Sequence, residues 1–207
     1  MTAAPTPPAK LVVLASGHGS NLQAILDASL GGVLPARVEA VIANRENAFA
    51  LMRAHNALVP AIYKPKRLTQ TRQEYDAELA DLVASFAPDW VVLAGWLRVL
   101  SRHFLDRFPN RVVNLHPALP GAFPGLRAVE RAYDAYRRGE IAQTGVMVHF
   151  VPDEAVDAGP VLAEEIVPIQ PQDSLADLEA RLHAVEHRLL VTALTQLCRR
   201  PEAGPSP

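Results

Sequence analysis

The segment Arg111-Val-Val-Asn-Leu-His-Pro117 runs a hydrophobic strand into two polar side chains and stops at a proline. Strand side chains alternate between two faces, so Asn114 and His116 project the same way while Leu115 points to the other face. An amide beside an imidazole at a strand end could stabilise developing charge and move a proton. An isolated pair of this kind is equally typical of a solvated strand end.

A second group of polar residues forms the turn Ser16-Gly-His-Gly-Ser-Asn21, directly after an apolar run. Where a strand passes straight into a helix, backbone N–H groups and the helix dipole converge at a place suited to an anion. Gly17 and Gly19 allow close approach, and the two residues that follow can donate hydrogen bonds or cap the helix. The turn lacks the third glycine of a dinucleotide motif and the lysine of a P-loop. It therefore predicts a phosphate site or a plain turn capped by Ser20, and argues against a nucleoside triphosphatase.

Carboxylates occur in two further places. The loop Pro152–Pro160 holds three, and Asp157 could pair with His116 and favour the charged imidazolium, although acidic loops are more often simply solvated. Glu186 borders the apolar stripe of the last predicted helix, with His183 three residues earlier, which favours a helix boundary over a sugar-binding patch. The isolated histidines and the only cysteine are interpreted as structural: His55, His103, His149, His187 and Cys198.

The rest of the chain alternates apolar runs with helical stretches, which predicts an α/β fold with a doubly wound, mostly parallel, Rossmann-like sheet. Strands are predicted at Leu11–Ala15, Val38–Ala43, Trp90–Ala94 and Val112–Leu115, and helices at Leu22–Leu30, Ala48–His55, Arg72–Phe86 and Val129–Arg138. Later, Thr144–Val151 and Val161–Ile169 predict an antiparallel extension, and Asp173 opens a final helix to about Cys198. The segment Gly95–Leu100 could line a slot for a flat ring, but alone it favours ordinary packing.

Composition limits the classes of function. The 207 residues are 49% apolar with a formal net charge of -2, which fits one domain, predicted at 10–198 between disordered tails at 1–9 and 199–207. Nearly balanced charges argue against a nucleic-acid partner. A single cysteine excludes an internal disulfide and a Cys-rich zinc site and favours a reducing cytoplasm, and no apolar run approaches the roughly 20 residues of a membrane helix.

Taken together and in order, six segments resemble the phosphoribosylglycinamide formyltransferases over about residues 10–198. They are Ala15–Gln23, Pro88–Leu100, Asn114–Pro117, Pro124–Leu126, His149–Val151 and Asp157–Pro160. The resemblance implies transfer of the formyl group of 10-formyltetrahydrofolate to the amine of glycinamide ribonucleotide, in de novo purine synthesis. It implies two small-molecule substrates and no metal, and we expect a cytoplasmic monomer or weak homodimer.

The resemblance also implies the roles of individual residues. Asn114, His116 and Asp157 match a catalytic trio, in which the amide and a protonated imidazole would stabilise the oxyanion while the carboxylate sustains that charge. The ribonucleotide would be held by Gly19, Ser20, Asn21, Glu186 and His183. The folate would be held by Arg72, Leu97, Arg98, Val99, Leu100, Asn114 and Asp153, with the loop 152–157 as the other wall of the pterin slot.

Some positions depart from the family pattern. One extra residue separates His149 from Asp157, the usual Ser-Leu-Leu-Pro after His116 is Ala118–Gly121, and family histidines are replaced by Arg127 and Val129. Two other functions stay open: a deformylase that uses water, and a non-catalytic nucleotide-binding domain. Deformylases of this superfamily carry an additional amino-terminal domain, and transfer-RNA formyltransferases a carboxyl-terminal one, for which we expect no room in this chain.

Overall fold

The computed structural model describes residues 7–199 as a single sheet with helices on both faces. The strands are β1 Ala9–Ala15, β2 Ala36–Ala43, β3 Ala61–Tyr63, β4 Trp90–Leu93, β5 Val112–His116, β6 Gln143–Phe150 and β7 Val161–Pro168. The helices are α1 Ser20–Leu30, α2 Phe49–Asn56, α3 Arg72–Ala84, α4 Arg102–Leu105, α5 Ala128–Arg137 and α6 Leu175–Arg199.

The strand order is β3-β2-β1-β4-β5-β6-β7. Neighbouring strands from β3 to β5 are parallel, and β6 is antiparallel to both of its neighbours, β5 and β7. The predicted doubly wound sheet with its antiparallel extension is confirmed. Two short elements were not predicted, β3 and α4, because three and four residues are too few to show a hydrophobic period. The predicted tails, 1–9 and 199–207, fall mostly outside the described residues. Ala9 and Arg199 were predicted to lie in the tails, but Ala9 begins β1 and Arg199 ends α6.

Two apolar clusters hold the helices against the sheet. Leu22, Ala50 and Leu182 represent the first, in which α1, α2 and α6 cover one face. Tyr75 and Phe104 represent the second, in which α3 and α4 cover the other face. The near-continuous hydrophobic strands follow from this arrangement, because β1 and β4 are buried on both sides.

None of the helices between residues 7 and 199 is long and apolar enough to cross a bilayer. Over the same residues, no group of three or more His, Cys, Asp and Glu side chains could hold a metal ion.

Candidate active site

The ends of β1, β4 and β5 bring three of the predicted segments to one edge of the sheet. The glycine-rich turn follows β1, and the segment 94–101 follows its neighbour β4. Asn114 and His116 lie at the carboxyl end of the strand β5. In open α/β sheets this carboxyl edge is where ligands bind. The acidic loop between β6 and β7 adds Asp157 to the same place.

Asp157 joins the two polar side chains of β5. Its Oδ1 accepts a hydrogen bond from Asn114 Nδ2 at 3.0 Å, and its Oδ2 lies 3.2 Å from His116 Nδ1. Oδ2 also accepts the backbone N–H of Gly125 at 2.7 Å, and His116 Nε2 faces the carbonyl oxygen of Phe123 at 3.1 Å. The structure thus brings together the amide, the imidazole and the carboxylate that are distant in sequence.

His149 belongs to the same cluster, although its isolated position in the sequence suggested a structural role. It is 1% exposed, and β6 places it directly opposite Asn114. Its Nδ1 faces the carbonyl of Phe150 at 2.8 Å, so this nitrogen carries the proton, and Nε2 can accept from Asn114 Nδ2 at 3.1 Å. The Asn114 amide is therefore oriented by His149 and Asp157 together. Only the strand register, which the sequence does not reveal, identifies this contact.

Burial and pairing have opposite effects on the pKa values of His116 and Asp157. Burial lowers the pKa of His116 below its ordinary value, outweighing the opposite effects of the Asp157 charge and the Phe123 carbonyl. Burial by itself would raise the pKa of Asp157, but the neighbouring His149 ring and the Gly125 N–H outweigh it and the pKa is lowered. Asp157 therefore pairs with His116 and favours the charged imidazolium, as expected, but burial has the larger effect in the free protein. Near neutral pH the carboxylate is ionised and the imidazole is mainly neutral.

The glycine-rich turn leaves the first N–H groups of α1 without a side-chain cap. Gly19 is the N-cap residue, with φ of 74°, and no side chain, including that of Ser20, caps the helix. The alternative of a turn simply capped by Ser20 is therefore wrong. The uncapped N–H groups and the helix dipole form the kind of place that binds a phosphate.

Helix α2 holds this turn from the side. Ala50 N–H donates to the Gly17 carbonyl at 3.2 Å, and a Cβ on Gly19 would lie only 2.8 Å from the Ala50 Cβ. The Arg53 guanidinium donates to the His18 carbonyl at 2.9 Å and to the Gln23 side chain at 3.0 Å. These contacts fix the turn before any ligand arrives.

Glu186 of α6 reaches the other side of the turn. It is 5% exposed and accepts hydrogen bonds from Asn21 Nδ2 at 3.0 Å and from His183 Nδ1 at 2.9 Å. The hydrogen bond to Glu186 raises the pKa of His183 above its ordinary value. Glu186 therefore contacts the turn, whereas His183 lies at the solvent-exposed border of the helix, as the pattern had favoured.

The predicted folate residues surround a small cavity beside Asn114 and Asp157. Its volume is about 70 Å³, and its lining includes six of the predicted site residues: Arg98, Val99, Leu100, Asn114, Asp153 and Asp157. Leu97 and Arg72 do not line it. Arg72, at the start of α3, instead pairs with Glu154 of the acidic loop. Glu154 also accepts the Arg102 N–H at the start of α4, at 2.9 Å, so the loop is fastened to both helices.

Two buried residues that the sequence did not single out hold the wall 97–100 in place. Ser16 Oγ accepts the Leu97 N–H at 3.0 Å, and Asp76 Oδ2 accepts the Ser101 N–H at 2.7 Å. Both side chains are 1% exposed. Ser16 also begins the glycine-rich turn, so one residue connects the two halves of the site.

The base of the acidic loop is closed by its own backbone. Phe150 N–H donates to the Pro160 carbonyl at 2.9 Å, and a Cβ on Gly159 would collide with the Phe150 carbonyl. Between these points Asp157 adopts φ of 52°, a left-handed conformation that Asp tolerates better than most residues. The loop therefore enters and leaves the sheet along a fixed path.

Comparison with known proteins identifies the family. Residues 9–194 match the model of the formyl transferase family. This chain belongs to the formyl transferase family. It is similar to the phosphoribosylglycinamide formyltransferase of Schizosaccharomyces pombe, with 47% identity over 91% of this chain and 97% of that protein. The protein of the same name from Escherichia coli K12 is 40% identical over 86% of this chain and 82% of its own length.

Solved structures of formyl transferases lead to the same family. The glycinamide ribonucleotide transformylase 1 of Symbiobacterium toebii superposes with a TM-score of 0.87 and 38% identity, over 94% of this chain and 89% of that one. The enzyme of the same name from Geobacillus kaustophilus gives 0.85 and 40%, over 92% and 99%. The similarity therefore covers the whole formyl transferase domain, including both halves of the site.

Proposed function

We propose that this enzyme transfers the formyl group of 10-formyltetrahydrofolate to the amine of glycinamide ribonucleotide. The observation that carries the proposal is Asp157, whose two oxygens contact Asn114 and His116 between the glycine-rich turn and the cavity at 97–100. The names of its relatives, which match over most of both chains, favour the same reaction. The oligomeric state and the cytoplasmic location stay predictions, with a monomer or weak homodimer expected.

The reaction needs donors for a developing negative charge. When the amine attacks the formyl carbon, the carbonyl oxygen becomes an oxyanion, and preorganised N–H groups stabilise it. Asn114 supplies an amide whose two N–H groups contact His149 and Asp157 in the free protein, and one of them would be released to the oxyanion. His116 Nε2 faces the Phe123 carbonyl oxygen, so the N–H that it carries once protonated is directed toward an acceptor. The oxyanion would take over that N–H.

The reaction also moves a proton. The attacking nitrogen gains a positive charge, and one of its protons must leave while N10 of the folate, the leaving group, gains one. A neutral His116 whose Nδ1–H donates to Asp157 leaves Nε2 free to accept the proton, and the ionised Asp157 stabilises the imidazolium that forms. Passing the proton from Nε2 to N10 completes the transfer and returns His116 to its neutral form.

The two substrates would occupy opposite sides of this trio. The ribonucleotide phosphate would accept hydrogen bonds from the uncapped N–H groups of α1 and from the side chains of Ser20 and Asn21. Glu186 would accept hydrogen bonds from ribose hydroxyls, with His183 beside it. The pterin would enter between Arg98–Leu100 and the acidic loop. A cavity of about 70 Å³ is smaller than the usual ligand pocket of 300 Å³ or more, so this slot must open first.

An assay with and without the amine tests the proposal. Purified protein is mixed with 10-formyltetrahydrofolate, and tetrahydrofolate is measured in the presence and absence of glycinamide ribonucleotide. We expect folate product only when the ribonucleotide is present, together with an equal amount of formylated ribonucleotide. Equal folate product without the ribonucleotide would indicate the deformylase, and no product in either mixture would favour a non-catalytic nucleotide-binding domain.

A further inference from the structure

The loop 123–125 supplies two backbone groups to the catalytic pair. The Phe123 carbonyl faces His116 Nε2 at 3.1 Å, and the Gly125 N–H donates to Asp157 Oδ2 at 2.7 Å. The loop has no regular secondary structure, and Phe123 adopts φ of 47°, which is unfavourable for a bulky side chain. Another part of the molecule must therefore hold it in this shape.

Arg131 of α5 makes the contacts that hold the loop. Its Nη2 donates to the carbonyls of Phe123 and Pro124, both at 2.6 Å, and lies 3.5 Å from the Gly125 carbonyl. The guanidinium also lies 6.0 Å from the centre of the Phe123 ring. Among the ion pairs of residues 7–199, Arg131 contributes to none, whereas the neighbouring Arg127 pairs with Glu130. Its charge is thus directed at backbone carbonyls of the loop.

We infer that Arg131 is a positioning residue for catalysis, which fixes the loop 123–125 so that it holds His116 and Asp157 in their reactive arrangement. The inference rests on the proposed function for its kinetic part. Its structural part concerns the resting protein alone. The Phe123 carbonyl contacts His116 and the Gly125 N–H contacts Asp157, and the Arg131 guanidinium binds the loop that carries both groups.

The charge of Arg131 gives the inference a second readout. The titratable and charged groups around His116 are Asp157, His149 and Arg131, and of these the arginine and the second histidine disfavour the imidazolium. Removing the charge alone would raise the pKa of His116. Release of the loop would also withdraw the Phe123 carbonyl, whose hydrogen bond raises that pKa and has the larger effect. If Arg131 fixes the loop, its removal should therefore lower the pKa of His116, whereas a charge effect alone would raise it. Loss of the Gly125 N–H contact should raise the pKa of Asp157.

The experiment compares Arg131→Gln with Arg138→Gln, which removes an exposed arginine of the same region that pairs only with Glu140. We expect Arg131→Gln to lower kcat about tenfold with little change in either KM, because the reacting groups shift by a fraction of an ångström. In the substrate-free protein, NMR titration of the His116 ring should show the lowered pKa. The control should behave as the parent protein in all of these measurements.

Arg131→Lys separates fixing from charge, and it also serves if Arg131→Gln does not fold. In the parent protein, Arg131 Nε–H also donates to the Arg127 carbonyl at 3.3 Å, which orients the guanidinium toward the loop. A lysine keeps the cation but lacks this second contact, so the His116 pKa and kcat should both still fall. A parental kcat in Arg131→Lys, or a parental or raised His116 pKa in folded Arg131→Gln, would overturn the inference. Because the titration needs no substrate, its failure is distinct from a failure of the proposed reaction.

Discussion

The two sides of the site are built in different ways. On the ribonucleotide side, the turn 17–21 is held by β1, by the start of α1, by Arg53 of α2 and by Glu186 of α6. On the folate side, neither wall has regular secondary structure: one is the segment 97–100 and the other is the acidic loop 152–157. The first side is formed before a ligand arrives, whereas the second leaves a cavity of about 70 Å³.

Because of this difference, we expect the ribonucleotide side to contribute mainly to affinity and the folate side to require movement of the loop. A turn fixed by surrounding helices loses little further conformational freedom when a phosphate binds, so most of the interaction appears as affinity. A loop that closes over a slot has to move, and its movement contributes to the observed rate and affinity. The trio lies at the boundary, since Asn114 and His116 belong to a strand and Asp157 belongs to the loop. Catalysis therefore depends on the loop holding Asp157 beside Asn114 and His116.

The largest effect on kcat is expected for a substitution of His116, which lies between the two sides. His116→Ala removes the proton acceptor and one oxyanion donor, so kcat should fall by about a hundredfold or more while both KM values change little. Steady-state kinetics with each substrate varied in turn would measure it. A kcat close to that of the parent protein would exclude His116 from the reaction.

The next effect distinguishes carboxylates within the loop. Asp157→Asn should lower kcat by roughly tenfold to a hundredfold, because the stabilising charge beside His116 is lost while the side chain keeps its shape. Asp153→Asn is the matched control, since Asp153 only accepts the Ala155 N–H and lines the cavity. Its effect should be confined to the KM for the folate. Equal losses of kcat would contradict the assignment of Asp157.

A smaller effect tests the preformed side. Glu186→Gln keeps the size of the side chain but removes the charge that accepts from Asn21 and His183, so the KM for the ribonucleotide should rise about tenfold. The kcat and the KM for the folate should remain within about twofold, because the folate side is separate. A rise in both KM values would mean that the two sides are not independent.

The smallest effect concerns the fastening of the loop. Glu154→Gln weakens the pairing with Arg72 and the contact with the Arg102 N–H, both at the surface, where such pairs contribute little to overall stability. Hydrogen exchange at residues 152–157 should accelerate, while exchange in the turn 17–21 stays unchanged. Faster exchange in both regions would remove the distinction between them.

The sequence predicted the sheet well because its strands are buried on both faces, which leaves long apolar runs at β1, β2 and β4. The spacing of Asn114 and His116 likewise predicted a shared face, and both contact Asp157. The resemblance to a family was needed to assign Asp157 to the trio, because the carboxylates of an acidic loop are usually exposed to solvent.

Other features of the site depend on distances that no local pattern encodes. The register of β5 and β6, which places His149 opposite Asn114, is set by tertiary packing. The pKa of His116 depends on how deeply the whole fold buries the ring, which the sequence spacing does not show. Arg131 and Ser16 act through backbone groups of other segments, so their side-chain types carry no signal of that role.

The closed base of the acidic loop has a consequence for protein engineering. The Phe150–Pro160 hydrogen bond and the tight packing of Gly159 anchor both ends, so the tip around residues 153–156 can be treated as an exchangeable module. Asp157, which follows this tip, lies beside His116. Grafting tips of other lengths onto the same anchors would allow tolerance for altered folates to be selected while the reaction chemistry is preserved.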